Sequence, residues 1–213
     1  MNIVLFGASG MIGSRVLREA VSRGHSVKAV VRDPSRVAAE RGVTVVKGDM
    51  TDAARVAEVV AGADAVVSAY SPGQGTEKQL LPAVGTLVAG ARQAGVKRVL
   101  IVGGAASLFV APGVTVLESG HLPPEWLDIA KAHAEVLQWL RTSKAAAELE
   151  WTYFSPAGFI EPGERTGKFR VGKDDLIVDA QGQSRISAED YAVALVDELE
   201  KPQHARQRFT VGY

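Results

Sequence analysis

The sequence predicts an α/β fold, a doubly wound parallel sheet with helices on both faces. Three observations predict it. Short apolar runs rich in β-branched residues recur along the chain, stretches with apolar residues at helical spacing separate them, and glycines close most of those stretches. Runs that stay apolar without alternation suit strands buried on both faces, as parallel strands are. Strands alternating with helices then require right-handed crossovers between neighbours.

Ile3–Phe6 is the first expected strand. Met11 to Ser22 follows as a helix with Ile12, Val16, Leu17 and Ala20 on one face and Gly24 as its stop. Val27–Val31 and Val43–Val46 are the second and third strands. Thr51 or Asp52 can cap a helix running to about Ala61, before Gly62. Ala65–Ser68 is the fourth strand. A longer helix with Pro82 near its start, where proline is tolerated, ends near Ala94 and Gly95. After the fifth strand, Val99–Val102, Pro123-Pro124 precede a helix carrying Trp126, Ile129, Ala130, His133, Val136, Leu137 and Leu140. The alanine cluster 145–147 reads as a helix end, and Trp151–Phe154 is the sixth strand. The last third is less regular. Lys168–Val171 and Leu176–Asp179 read as short strands, Ala188–Leu199 as a helix opened by Ser187, and Phe209–Val211 as a last strand. Ser187 with Asp190 matches the S-x-x-D capping pattern. The expected organisation is one domain over 1–213, with a core over 1–155 and a small substrate-side lobe over 156–213.

Composition narrows the function classes. The 213 residues favour a single domain, and 46% hydrophobic with 23% charged residues is ordinary for a globular protein. Lys plus Arg and Asp plus Glu are each 24, so no net charge steers the chain to nucleic acid or an anionic membrane. The absence of cysteine excludes disulfides, thiolate catalysis and thiolate metal sites. No apolar run approaches the ~20 residues of a membrane span. No basic segment followed by an apolar one marks a secretory signal, so a cytoplasmic protein is expected. The four histidines show no ligand spacing such as H-x-x-x-H, and no metal is expected.

Gly7-Ala8-Ser9-Gly10-Met11-Ile12-Gly13 stands between the first strand and the first helix. A helix tolerates glycine at a cost of roughly 1 kcal/mol each against alanine, so this spacing points to a need for absent side chains. The context is that of a dinucleotide-binding loop. Gly7 permits the tight turn, Gly10 lets a pyrophosphate approach the backbone, and Gly13 lets the helix pack close to the sheet. Free amides of the first turn, at Met11, Ile12 and Gly13, and the helix dipole then hold phosphate oxygens. The Ser9 hydroxyl can add a bond.

The same loop resembles the G-x-x-G-x-x-G of extended and atypical short-chain dehydrogenases. The resemblance continues in VVRDPSR (30–36), KGDM (47–50), AGVKRVLIVGGAASL (94–108), WTYFSPAGF (151–159) and SRISAEDYA (184–192), over nearly the whole chain. Together these resemble the atypical NAD(P)H-binding subfamily that includes flavin reductases, biliverdin reductase B-type enzymes and nitrogen-metabolite-repression (NmrA-like) sensors. The fold so implied is a Rossmann-type doubly wound parallel sheet with a small C-terminal substrate lobe.

An NAD enzyme usually ends its second strand with an acid on the ribose hydroxyls. Here that place falls at Val31, and Arg32 comes next, with Arg36 following. A guanidinium suits a 2′-phosphate, so NADPH is the expected cofactor, with NADH as the alternative. Asp33 is the complication, because it could take over ribose binding. The resemblance places Asp49 and Met50 against the adenine and Ala69, Tyr70 and Ser71 beside the nicotinamide ribose. It also places Pro156 and Gly158 near the nicotinamide carboxamide, and Gly103 among the cofactor-binding residues.

Family enzymes that reduce carbonyls carry a serine after strand five and a Tyr-x-x-x-Lys pair on the next helix. Lys131 and Glu135 match the continuation of that pattern, but the tyrosine position is Leu127 and the serine position reads Gly103-Gly104. Leucine is no general acid. Ser107 and Lys131 are the remaining catalytic candidates, Lys131 through a bond to the nicotinamide ribose. His121 and His133 are weaker ones. Flavins and quinones suit the gap, since they accept hydride readily and their anions take a proton from water. The expected protein is therefore an NADPH-dependent reductase of such an acceptor, with flavin as substrate or bound cofactor. A non-catalytic NADP(H) sensor is the alternative. Tyr70, Phe109, Trp126, Phe154 and Phe159 are candidate walls for the acceptor, and Arg165, Lys168 and Arg185 a candidate basic cluster. The partners expected are a small-molecule substrate and, at most, a second copy of the chain, as monomer or homodimer.

Overall fold

Strand β1 (Asn2–Phe6) shows why the apolar runs lack alternation: Ile3 and Leu5 enter one core layer while Val4 and Phe6 enter the other. The computed structural model describes all 213 residues. Helix α1 (Met11–Ser22) leads to β2 (Ser26–Val31) and β3 (Val43–Lys47). Helix α2 (Ala53–Val60) is capped by the Asp52 carboxylate, which accepts from the Arg55 amide at 3.1 Å. Strand β4 (Ala65–Ser68), α3 (Leu80–Gln93) and β5 (Arg98–Val102) follow. A hairpin of β6 (Phe109–Ala111) and β7 (Val114–Thr115) precedes α4 (Leu127–Thr142), the short α5 (Lys144–Ala147) and β8 (Glu150–Ser155). The remainder holds β9 (Phe159–Glu161), β10 (Arg170–Gly172), β11 (Arg185–Ser187), α6 (Ala188–Glu200) and β12 (Gln207–Gly212).

Eight strands form the central sheet in the order β10-β12-β8-β5-β4-β1-β2-β3. Every pairing in it is parallel except β10 on β12. Helices α2, α3, α4 and α5 cover one face, and α1 and α6 the other. The strand order turns back between β1 and β4, and a doubly wound sheet opens its ligand crevice at the carboxyl ends of such a pair. No helix is long and apolar enough to cross a membrane.

The expected strands and helices of the first 155 residues are all present. The alanine cluster is not the end of α4: the chain turns extended at Ser143, whose hydroxyl accepts from Ala146 N and starts α5 afresh. Leu176–Asp179 does not join a sheet ladder, contrary to expectation. Its Leu176 amide donates to the Phe109 carbonyl and its Asp179 amide to the Gln183 carbonyl across a turn, in place of a ladder. The strand expected at Lys168–Val171 starts later, as β10. The hairpin β6–β7 is an addition to the expected elements, with strands of only three and two residues.

The C-terminal third divides between sheet and cover. Strand β12 lies between β8 and β10, and α6 packs Tyr191, Ala192 and Leu195 into the layer that holds Val16, Leu17 and Ala20 of α1. Residues 156–187 leave the carboxyl end of β8 and carry the parallel pair β9–β11, with β10 joining the sheet edge between them. Ser187 caps α6, accepting from the Asp190 amide at 3.0 Å. The buried Asp190 carboxylate does not complete the capping box. It accepts instead from Thr166 Oγ1 at 2.6 Å, the Gly167 amide at 2.7 Å and Tyr213 Oη at 2.9 Å, which ties the 162–168 loop to the helix.

Candidate functional site

The glycine loop is built without room for side chains. Gly7 has φ +78°, and a Cβ there would lie 2.7 Å from the Ala69 carbonyl carbon and closer to its oxygen. That conformation favours glycine, and the second strand of contact is rigid backbone. Gly10 enters α1 in an extended conformation with no side-chain cap. The Met11, Ile12 and Gly13 amides therefore have no intrahelical acceptor and no capping oxygen. Free amides at a helix start are the arrangement to which anions bind.

Around this loop a cleft of about 180 Å³ is lined by Gly7, Ser9, Gly10, Arg32, Arg36, Asp49, Met50, Ala69, Tyr70 and Ser71, among others. It brings together eight of the residues expected to bind cofactor, contributed by the ends of β1, β2, β3 and β4. Gly48, not anticipated, belongs to it too: a Cβ there would press on Val30 Cγ1 at 2.8 Å. Asp49 accepts from the Thr51 amide and hydroxyl, both at 2.9 Å, which fixes the turn after β3. Met50 is buried, with the Ser68 hydroxyl donating to its sulfur at 3.3 Å. Burial, and secondarily Asp49, raises the Tyr70 pKa, so Tyr70 stays a neutral phenol.

Asp33 does not face this cleft. Its carboxylate accepts from Ser35 N at 3.0 Å and Ser35 Oγ at 2.7 Å, capping a short turn, and those bonds lower its pKa. The rim beside β2 is left to Arg32 and Arg36.

Gly103, Pro156 and Gly158 lie beyond this cleft, at the carboxyl ends of β5 and β8. Gly103 is sealed by the ring of Tyr153: a Cβ would stand 2.8 Å from Tyr153 Cδ1 and nearer still to the rest of the ring edge. Tyr153 Oη accepts from the Gly104 amide at 3.1 Å and donates to the His133 carbonyl at 2.9 Å. No local signal marks this tyrosine's part, because its run reads as plain core strand. Gly158 donates to Ser184 Oγ at 2.9 Å, and a Cβ on it would lie 3.2 Å from Ser184 Cβ.

Ser107 is directed elsewhere. Its hydroxyl accepts from Arg208 at 3.0 Å, and the buried Arg208 is also paired with Asp174. It lines a separate cleft between α4 and the β6–β7 hairpin. Lys131 is exposed on α4 and makes no side-chain hydrogen bond or ion pair. The expected basic cluster is not formed: Arg165 holds both Glu19 carboxylate oxygens at 2.8 Å, and Arg185 faces Asp179 at 3.6 Å.

His133 packs its ring on Gly104, with Nδ1 3.3 Å from Tyr153 Oη. The tyrosine's one proton goes to the His133 carbonyl, so Nδ1 carries the imidazole proton and Nε2 is the bare nitrogen. Burial lowers its pKa from 6.5 to about 4. The folded state thus resists a proton that the unfolded chain accepts below pH 6.5. This group's contribution is whole above that pH and declines as the pH falls towards 4, by roughly 3 kcal/mol. Urea midpoints measured from pH 7 to 4.5 should fall more steeply for the wild type than for His133→Leu; parallel curves would contradict the assignment.

A doubly wound sheet, a glycine-lined helix start at its switch point and a cleft between them define a dinucleotide-binding protein. The chain belongs to the NAD(P)H-binding family, whose model matches residues 7–202. It is 41% identical to the uncharacterized protein YwnB of Bacillus subtilis (strain 168) over 214 residues, 99% of this chain and 98% of that one. A proposed epimerase of Bacteroides thetaiotaomicron, 47% identical, superposes with a TM-score of 0.93 over 100% of this chain and 96% of its own. A proposed NADH-flavin reductase of Streptococcus pneumoniae, 32% identical, does so at 0.88 over 100% and 99%. The resemblance to atypical short-chain dehydrogenases thus holds along the whole chain.

Proposed function

We propose that this protein is an NADPH-dependent reductase that passes hydride to a flavin, a quinone or a similar small conjugated acceptor. The observation that carries the proposal is the contrast between the two ends of the site. The glycine loop and the β2–β4 turns form a complete nucleotide cradle, whereas Leu127 and Gly103 stand where the tyrosine and serine of carbonyl reductases stand. The Tyr153 ring occupies the space that a serine at 103 needs. The likeness to a proposed flavin reductase along the full chain supports the same class.

The residues divide the work. Amides of Met11, Ile12 and Gly13 hold the pyrophosphate, Ser9 adds a hydroxyl, and Arg32 with Arg36 faces the 2′-phosphate. Asp49 and Met50 border the adenine. Ala69 and Tyr70 support the ribose on the nicotinamide side, while Gly103, Pro156 and Gly158 border the ring and Lys131 bonds its ribose. When bound, the cofactor supplies a hydride, and the reduced acceptor takes its proton from water. No buried acid is needed, which agrees with a His133 that is neutral above about pH 4.

Two measurements test this. Steady-state NADPH oxidation is expected to depend on added FMN, riboflavin or menadione. Nucleotide uptake without any acceptor-dependent oxidation would instead identify a non-catalytic sensor. In Arg32→Ala, NADPH is expected to bind about 10- to 100-fold more weakly with NADH unaffected, because a charge-assisted phosphate contact is lost. Equal loss for both nucleotides would remove Arg32 from the phosphate site.

A further inference from the structure

Six aromatic side chains of the chain, Phe6, Trp151, Tyr153, Phe154, Tyr191 and Phe209, are buried. Trp126 and Phe159 are the exception in both size and setting. They are 42% and 63% exposed, and their rings meet edge to face with centroids 6.1 Å apart at 68°. We propose that this pair is the stacking wall for the flat, conjugated ring of the hydride acceptor. The inference rests on the reductase assignment above and names where its second substrate sits.

Position argues for it first. Trp126 closes the turn that enters α4, the helix of Lys131, and Phe159 opens β9 directly behind Pro156-Ala157-Gly158. The pair therefore bridges the segments that follow β5 and β8, two adjacent strands, at the carboxyl ends where this fold places ligands. Rigidity argues for it next. The Trp126 amide donates to the Pro123 carbonyl at 3.0 Å, and the turn is stiffened by Pro123-Pro124. The Phe159 amide donates to the Ser184 carbonyl at 2.9 Å, within the β9–β11 pairing. Two large rings held in water by fixed backbone are preorganised for a flat partner, and edge-to-face contact leaves ring faces open for stacking.

The other aromatic candidates are unavailable. Phe154 is sandwiched between Tyr191 and Phe209, each with centroids 4.0 Å away, deep in the core. Tyr70 lines the nucleotide cleft, and Phe109 lines the separate cleft shared with Ser107.

The test uses menadione and FMN as acceptors with the wild type, Trp126→Ala, Phe159→Ala and the conservative Trp126→Phe. The alanine variants are expected to raise acceptor KM about 10-fold or more, with the NADPH KM within about twofold and thermal midpoints near wild type. Trp126→Phe should retain most of the wild-type acceptor KM, which a loss of fold would not permit. With NADP+ in place of NADPH, menadione should quench tryptophan emission saturably in the wild type and not in Trp126→Phe. Unchanged acceptor KM in both alanine variants would overturn the proposal. So would a wild-type dimer in sedimentation velocity that the double alanine variant abolishes while acceptor KM stays constant, since the pair would then be a contact between copies. If the wild type reduces neither acceptor, the reductase assignment fails. The quenching titration then decides the wall by itself: dependence on Trp126 upholds a ring-binding surface, and no quenching removes it.

Discussion

Gly13→Ala is expected to abolish tight NADPH binding, weakening it by about 100-fold or more, and to destabilise the fold by about 1–3 kcal/mol. The added Cβ would sit 2.8 Å from the Gly7 carbonyl carbon, 3.1 Å from Ala8 Cα and closer still to the Gly7 oxygen. All three neighbours are backbone, so no rotamer change can relieve the contact. Helix α1 must move off the loop, and its first-turn amides move with it, away from the pyrophosphate. Gly85→Ala is the control. Gly85 lies within α3 with open space where a Cβ would go, so alanine there should be neutral or stabilising by up to about 1 kcal/mol. Calorimetric NADPH titration and thermal melts of both variants check the pair. Wild-type affinity in Gly13→Ala would contradict the account of the loop.

Glu198→Ala is expected to cost about 3–5 kcal/mol of stability while leaving nucleotide affinity of the folded protein unchanged. Arg98 and Glu198 are 7% and 4% exposed and meet at 2.7 Å. Burial pulls the Arg98 pKa down and Glu198 opposes it. The same carboxylate accepts from the amides of Gln203 and His204 and from His204 Nδ1 at 2.8 Å. Removing it leaves a guanidinium inside the protein with only neutral acceptors, the Glu150 and Glu198 carbonyls and Thr152 Oγ1. It also releases the connection from α6 to β12, the strand that the C-terminal third threads into the sheet. Arg98 opens β5, at the end opposite the nucleotide crevice, which is why binding should survive. Glu198→Gln keeps the acceptor oxygen and should lose less. Urea unfolding of the three proteins, with NADPH titrations below the transition, measures both effects.

Much of this architecture was legible because local physics sets it. β1, β2, β4, β5 and β8 carry runs of apolar residues without strict alternation since both faces are covered, and that pattern does not depend on which strand lies beside which. Asp52 and Ser187 cap helices through bonds to amides three residues on, a contact confined to its own segment. The loop Gly7–Gly13 was legible for the same reason. What escaped was non-local. Tyr153 looks like any strand residue until β5 lies beside it and its ring closes over Gly103. Asp190 looks like a capping partner until the 162–168 loop arrives to use its carboxylate. Arg165 and Arg185 read as a free basic cluster, but Arg165 meets Glu19, remote in sequence, and Arg185 faces Asp179 across a turn.

By itself the sequence determined a doubly wound sheet with a glycine turn after its first strand, and an arginine directly after the position where an acid stands in NAD enzymes. These follow from hydrophobic period, glycine placement and residue type, all short-range quantities. Tertiary structure alone decided that Ser107 bonds Arg208 and that Arg165 is taken by Glu19. It also decided that, of five candidate aromatics, Trp126 and Phe159 remain in water beside each other. The reason is that a side chain's availability depends on which partners the fold brings within bonding distance, and those partners come from anywhere along the chain.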